Sequence, residues 1–223
     1  MKNMSATQTK QLINPAIAIL LILTAGCSLA SHNLHPEYNN RISSIKNPVL
    51  LMSDVNMYQI TPDGRATRRD DWSALGRKNL QDAITQNLKR RQGNLMPLTK
   101  TDRTSQEIEE VIALYKLVHE TMDQQIFGAS RNISKERGFQ YSLGSMETIL
   151  RRFGADAAIF ITGYDKISAR GRKSMLDLAI ADRSGAILYY SVSGTIKGND
   201  LRDPASAQLM VRSLLSGISG VEG

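Results

Sequence analysis

The apolar pattern in the first half of the chain predicts a strand, a helix and a second strand. Residues 48–60 begin with an apolar run and end at the turn sequence of residues 61–64, which is typical of a buried strand. Residues 70–91 carry apolar side chains at helical steps, with acids first and bases last, as the helix dipole favours. Residues 95–98 predict a short second strand, and Pro97, which lacks a backbone donor, indicates an edge position or a strand end.

Two further helices are predicted in the middle of the chain. Residues 104–107 read Thr-Ser-Gln-Glu, a capping box, and residues 108–122 place their apolar side chains on one helix face. His119 lies at the margin of that face, and we interpret it as a packed or surface residue. Residues 124–140 lack periodicity and predict a flexible loop. A short helix follows and ends at Gly154.

The last part of the chain predicts three strands and a helix. Residues 155–167 start apolar on both faces, which is typical of a central strand. Short turns at residues 169–173 and 182–185 connect this strand to two more, so the three form an antiparallel meander. Asp203 and Pro204 begin a final helix. The predicted fold is one α/β (α+β) domain: a single mixed sheet with a C-terminal three-strand antiparallel meander, flanked by helices.

The N-terminus has the layout of a secretory signal peptide. Lys2 and Lys10 precede the apolar residues 16–23, and small residues follow at positions 24–26. The apolar run is far below the ~20 residues that a membrane-spanning helix needs. A cytosolic protein with a hydrophobic N-terminus is the alternative.

Residues 23–27 resemble the lipobox of bacterial lipoproteins, with Thr24 in place of the leucine usual three positions before the cysteine. The resemblance implies cleavage after Gly26, a thioether-linked diacylglycerol (palmitate-type anchor) on Cys27, and acylation of the new amine. Ser28, where an aspartate would signal retention in the inner membrane, implies sorting to the outer membrane. Cys27 is the only cysteine, so its lipidation leaves no thiol for a disulfide, a metal or a nucleophile.

These features divide the chain into a signal peptide (1–26), a lipidated flexible tether (27–46), a periplasmic domain (47–219) and a tail (220–223). A coil of that length places the domain roughly 25 Å from the bilayer. His32 and His35 lie in the tether, and we interpret them as linker residues rather than a metal-binding pair. The net charge is +7, and +5 without Lys2 and Lys10, which favours anionic lipids or polymers or reflects a solvated surface.

Two sets of residues are candidate binding sites. The basic turn holds Arg170, Arg172 and Lys173, which fit a phosphate or carboxylate polymer of the envelope; a solubilising hairpin tip is the alternative. Tyr189 and Tyr190 are adjacent in a strand and so point to opposite faces. The pattern predicts that one is exposed as part of a partner surface, with packing beneath a helix as the alternative.

The sequence contains no nucleophile elbow, phosphate loop or metal-ligand motif, so we expect no enzymatic activity, no cofactor and no metal. Four acids at strand ends either converge in space or belong to turns and surface pairs. These acids are Asp54, Asp156, Asp165 and Asp177.

A second resemblance covers the C-terminal half of the chain. Residues 153–156 read Phe-Gly-Ala-Asp and precede an apolar strand, and residues 176–190 follow with a hairpin and an Asp-Gly turn. This pattern resembles a fold shared by the curli secretion channel lipoprotein, the penicillin-binding-protein activator lipoproteins and the amino-terminal domain of the Tol translocation protein. Residues 139–175 are more similar to a family of uncharacterised proteobacterial envelope lipoproteins.

The resemblance implies an assembly or partner-binding module. The expected function is therefore that of a non-enzymatic lipoprotein, anchored at the periplasmic face of the outer membrane, that docks or assembles with another envelope component and binds no nucleic acid. An oligomeric ring component of a secretion or polysaccharide-export machine and a periplasmic hydrolase are the alternatives.

Overall fold

The computed structural model describes residues 30–127, 138–193 and 199–218, which form six strands, six α-helices and one short 3-10 turn. The strands are β1 (Ser31–Leu34), β2 (Pro48–Ile60), β3 (Ala66–Arg68), β4 (Ala157–Ser168), β5 (Gly171–Asp182) and β6 (Ile187–Val192). The helices are α1 (Tyr38–Arg41), α2 (Asp70–Arg90), α3 (Lys100–Arg103), α4 (Gln106–Phe127), α5 (Glu147–Arg152) and α6 (Pro204–Leu214), and Ile42–Ser44 form the 3-10 turn.

All six strands belong to one mixed sheet in the order β1-β6-β5-β4-β2-β3. Only the β2–β4 pair is parallel among them; the other pairs are antiparallel. The prediction of a mixed sheet with a C-terminal three-strand meander is therefore confirmed. Among the residues described, no helix is both long and apolar enough to cross a bilayer.

Helices cover both faces of the sheet and create two hydrophobic layers. On one face, α2 and α6 pack through residues such as Ile84 and Met210. On the other face, α4 and α5 pack through residues such as Tyr115 and Leu150. Neighbouring residues of β4 are buried in different layers, which confirms that β4 is a central strand covered on both sides.

The segment predicted to be a flexible tether is folded from Ser31 onwards, so that prediction is wrong for most of its length. Ser31–Leu34 pair with β6, and Tyr38 is buried against Tyr189. His32 is part of this strand and lies 2.8 Å from the Tyr189 hydroxyl. Without β1, the backbone of β6 would present an unpaired edge. The mostly polar sequence of β1 does not indicate a strand, because β1 is stabilised by backbone pairing with β6 rather than by an apolar pattern of its own.

Two predictions about the helical segment before β4 also need correction. The capping box is formed by Thr99 and Asp102 at the start of α3, whereas the buried hydroxyl of Ser105 has no hydrogen-bond partner among the described residues. The region predicted as a second strand makes a single bridge to β2 among the described residues, from Met96 to Val49, with the Met96 N–H donating to the Pro48 carbonyl at 2.8 Å. Of the predicted loop, residues 128–137 lie outside the described part.

The sheet continues well beyond β1 and β6 on one side. Ser31, Val192, Asp177 and Thr162 are in register across β1, β6, β5 and β4. β4 and β5 run six residues past this row to their turn, and β2 and β3 accompany them. We call this extension the arm; it comprises residues 55–60, 66–68, 163–168 and 171–176.

Candidate functional site

A cluster of polar side chains lies between α4 and the centre of the sheet. α4 contributes His119 and Asp123, and the sheet contributes Thr162, Asp177 and Tyr190 from three adjacent strands. Thr162 pairs with Asp177, and Tyr190 pairs with the residue two positions after Asp177 on β5. The three strand residues therefore lie on one face of the sheet. We call these five residues the α4 cluster.

His119 is the centre of the α4 cluster. Its Nε2 lies 3.2 Å from the Thr162 hydroxyl, 3.2 Å from the Tyr190 hydroxyl and 3.4 Å from Asp177 Oδ2. The Thr162 hydroxyl donates to Asp177 (3.1 Å) and the Tyr190 hydroxyl donates to Asp123 (2.8 Å). Because both hydroxyl protons are already donated elsewhere, the oxygens of Thr162, Tyr190 and Asp177 can only accept a hydrogen bond from His119. Its Nε2 therefore carries a proton and donates to them.

The charges of the cluster favour a protonated imidazole. Burial by itself lowers the pKa of His119, but the hydrogen bond to Asp177 and the carboxylates of Asp123 and Asp177 raise it above its ordinary value. Burial raises the pKa of Asp123, although His119 and Tyr190 oppose that shift. Burial and the nearby carboxylates raise the pKa of Tyr190 well above its usual range, which keeps its hydroxyl a donor.

Two buried polar atoms at the edge of the cluster have no hydrogen-bond partner among the described residues. They are the hydroxyl of Tyr115, whose ring stacks on Phe160 at 4.2 Å, and Oδ1 of Asp177. An unsatisfied buried carboxylate oxygen costs free energy, so the cationic form of His119 matters for holding Asp177 in place. One helical turn earlier, Lys116 pairs with Asp54 of β2 at 3.0 Å.

The enclosure of the cluster limits the chemistry that it can perform. The side chains of His119 and Asp177 are only 15% and 4% exposed, so a substrate would reach them only if α4 moved. His119 Nδ1 and Asp123 Oδ2 are 3.8 Å apart, beyond a normal hydrogen bond. Among the described residues, no group of three or more His, Cys, Asp or Glu side chains is arranged to hold a metal ion. We therefore interpret the cluster as a charged contact that fixes α4 to the sheet.

The predicted basic patch is divided between two faces of the sheet. Arg170 and Lys173 are exposed at the β4–β5 turn. Arg172 points to the opposite face and pairs with Asp200 at 2.9 Å. Arg172 is therefore neutralised within the chain, and the free positive charge of the turn comes from Arg170, Lys173 and the exposed Lys166 nearby.

The prediction that Tyr189 or Tyr190 is exposed is wrong, because both are fully buried. Tyr190 lies beneath α4, and Tyr189 faces the α2 and α6 side, where its hydroxyl donates to the Leu214 carbonyl. Burial raises the pKa of Tyr189 to about 12. The alternative of packing beneath helices is correct, since helices cover both faces of the sheet at β6.

The four acids do not converge into one site. Asp156 accepts the backbone N–H groups of residues 46 and 47, at 2.7–3.0 Å, and fixes the chain just before β2. Asp165 faces the opposite side from Asp177 and accepts from Ser174 and from the Leu201 backbone. Asp54 and Asp177 lie in one cross-strand row, but β4 separates them. Cys27, Gly26 and Ser28 lie outside the described residues.

Comparisons with known proteins add little. No family model matches the sequence, and no curated protein matches it. Among solved structures, the chain is similar to the PelC dodecamer from Paraburkholderia phytofirmans, with 12% sequence identity over 84% of this chain and 94% of that chain. The TM-score of 0.38 is too low for this likeness to support an inference.

Proposed function

We propose that this chain is a lipid-anchored protein of the bacterial envelope, placed at the periplasmic face of the outer membrane, that docks or assembles with another envelope component without catalysing a reaction. The observation that carries the proposal is the apolar stretch that ends in Leu-Thr-Ala-Gly-Cys at residues 23–27. A signal peptide places the following domain outside the cytoplasm, and two or more acyl chains hold it stably at a membrane.

The outer surface of α4 supports a docking role. Leu114 and Leu117 are 39% and 64% exposed there, and Leu114 borders a shallow groove with Val111 and Ile149. Neighbouring exposed apolar side chains are typical of surfaces that contact another protein. Leu114 and Leu117 lie on the exposed side of α4, away from the α4 cluster, so a partner can contact them without disturbing the helix–sheet interface.

Metabolic labelling tests the anchor. Cells that express the chain are fed a clickable palmitate, and the wild type is compared with Cys27→Ser. We expect label on the wild type only, together with fractionation into the outer membrane. Wild-type protein that takes up no label, or that fractionates with cytosolic markers, would contradict the proposal.

Photocrosslinking in intact cells tests the docking role. A photoreactive amino acid replaces Leu117, and a control chain carries it at Gln81, which is exposed on α2 on the other side of the sheet. We expect a crosslink to a different envelope protein from position 117 and none from position 81. A crosslink between two copies would instead favour the ring-forming alternative, and the absence of any crosslink would count against docking through α4.

A further inference from the structure

The arm carries a row of mostly basic side chains near its tip. The row lies on the same face of the sheet that α4 covers outside the arm. Arg68, Tyr58, Lys166 and Lys173 are in register across β3, β2, β4 and β5. Residues paired in this way lie on the same face. We call these four residues the basic row. Arg170 lies in the turn just beyond it, and Lys166, Arg170 and Lys173 are all exposed.

The surroundings leave this positive charge available. Lys166 Nζ lies 4.8 Å from the centre of the Tyr164 ring, a contact that leaves its charge intact. Asp63 lies in the turn between β2 and β3, at the tip of the arm, and pairs with Arg65, whereas Asp70 follows β3 and pairs with Arg68. Arg68 is therefore balanced, and the available charge of the basic row comes from Lys166 and Lys173. A shallow groove of about 430 Å³ runs beside the row, lined by residues that include Tyr58 and Tyr164. Tyrosine beside lysine suits a boundary between water and lipid.

The topology brings the N-terminal end of the chain to the same side. β1 runs antiparallel to β6, so the chain enters the sheet from the end that carries the arm. Cys27 is four residues before Ser31, and four residues of chain span at most ~14 Å. Lys166 lies four residues along β4 from the Ser31 row, about 13 Å, and the turn lies about 20 Å from it.

We propose that the basic row and Arg170 bind anionic phospholipid headgroups and hold the arm against the membrane surface. The proposal rests on lipidation of Cys27. With its sulfur at the bilayer surface and its chain fully extended, the basic row stands at the level of the lipid attachment point. The turn then extends about 6 Å further, which is about the thickness of one headgroup layer. A less extended chain brings the arm deeper into that layer.

Vesicle binding by the mature chain from residue 27 tests this without the anchor. The protein carries Cys27→Ser, and the vesicles contain phosphatidylcholine with or without phosphatidylglycerol. We expect co-sedimentation with the anionic vesicles only, weakened by added salt. Each lysine near an anionic surface is worth about 1 kcal/mol, so Lys166→Ser with Lys173→Ser should weaken binding roughly 25-fold.

A matched variant separates position from net charge. Lys89→Ser with Arg90→Ser removes the same charge from exposed residues at the end of α2, at the opposite end of the sheet. We expect this variant to bind nearly as well as the parent. Equal binding to both kinds of vesicle, or equal loss in the two double variants, would overturn the proposal.

A fluorescent probe gives a direct readout of insertion. Because Cys27→Ser removes the only cysteine, Lys173→Cys introduces a single site for an environment-sensitive dye, with Lys89→Cys as the control. We expect a blue shift on anionic vesicles from position 173 only. No shift at position 173, or an arm-dependent association of two copies without vesicles, would refute the proposal. Palmitate labelling of the wild type is independent of these results, so a failure here is distinguishable from a failure of the anchor.

Discussion

Replacing His119 with glutamine tests whether the α4 cluster holds α4 to the sheet by charge. A glutamine amide can still donate to Asp177, but it carries no positive charge. Because Asp177 remains a carboxylate, the variant keeps a hydrogen bond to a charged group and loses the attraction between the imidazolium and the carboxylates, for which each unit of raised pKa corresponds to about 1.4 kcal/mol. With Asp177 only 4% exposed, we expect His119→Gln to lower the free energy of unfolding by about 1–2 kcal/mol at pH 6.

The pH dependence of this loss follows from the pKa of His119. Its folded-state pKa is raised above the ordinary value of 6.5 by Asp177 and Asp123, against the effect of burial. A raised histidine pKa contributes stability that is fully present below pH 6.5 and is lost as the pH rises through the folded-state pKa. The difference between wild type and His119→Gln should therefore be largest near pH 6 and shrink towards alkaline pH.

Urea denaturation of both proteins across this pH range measures the difference. Asp123 and the other titrating groups remain in both proteins, so most of their contribution cancels in the comparison. His35→Gln is the matched control, because the His35 ring accepts a backbone hydrogen bond from Glu37 instead of contacting the cluster. A difference that stays constant or grows with pH, or an equal loss in the control, would refute the role assigned to His119.

Two further predictions concern the contacts that support the arm, and both are checked by urea denaturation. Gly163 has φ +149°, and a Cβ there would lie 2.2 Å from the Met175 carbonyl oxygen, whereas Gly171 has φ +141° with open space around it. Backbone strain and overpacking each cost about 1–3 kcal/mol, so Gly163→Ala should lose at least twice as much stability as Gly171→Ala; equal losses would contradict the contact. The buried Asn79 amide donates to two backbone carbonyls, those of residues 201 and 202, both at 2.9 Å. Asn79→Ala should cost about 1–3 kcal/mol, and a loss no greater than that of the exposed neighbour Lys78→Ala would contradict this.

The sequence was sufficient for the main elements because their signals are local. The run at residues 48–60 coincides with β2, and the acids at the start and bases at the end of α2 mark Asp70–Arg90 closely. The Asp203-Pro204 start of α6 is also confirmed, with the Asp203 carboxylate accepting two backbone N–H groups. Each of these signals combines an apolar period with a turn or cap, so it needs no information from distant residues.

β1 was missed because its stabilising partner is distant in the sequence. Its four residues pair with β6, about 160 positions later, and they include two polar residues and a histidine. Nothing in their periodicity distinguishes them from a linker. The exposure of Tyr189 and Tyr190 was misjudged for a related reason: the alternation of a strand predicts opposite faces, but it does not reveal that helices cover both.

Local sequence patterns do not predict the α4 cluster either, although several of its residues are unusual for their positions. Thr162 and Asp177 are polar residues within apolar strands, and His119 is polar at the edge of an apolar helix face. Each is unusual because burial of a polar group is costly without a partner. The register that pairs Thr162 with Asp177 beneath His119 depends on strands and a helix that are far apart in sequence. The sequence thus identifies the residues in need of partners, and the fold supplies the partners.

Because the first strand already begins at Ser31, a lipid at Cys27 would hold the domain closer to the membrane than a long tether would. A coil of twenty residues would let the domain move roughly 25 Å from the bilayer in any orientation, whereas four residues before Ser31 allow at most ~14 Å. With the arm also at the headgroups, as proposed, the domain would have two contacts with the membrane and therefore a defined orientation. The strands of the arm would then stand on the surface, and the outer face of α4, where Leu117 is exposed, would point along the membrane plane. In that orientation α4 is presented sideways to another protein at the same membrane, which is the geometry that the proposed docking role requires.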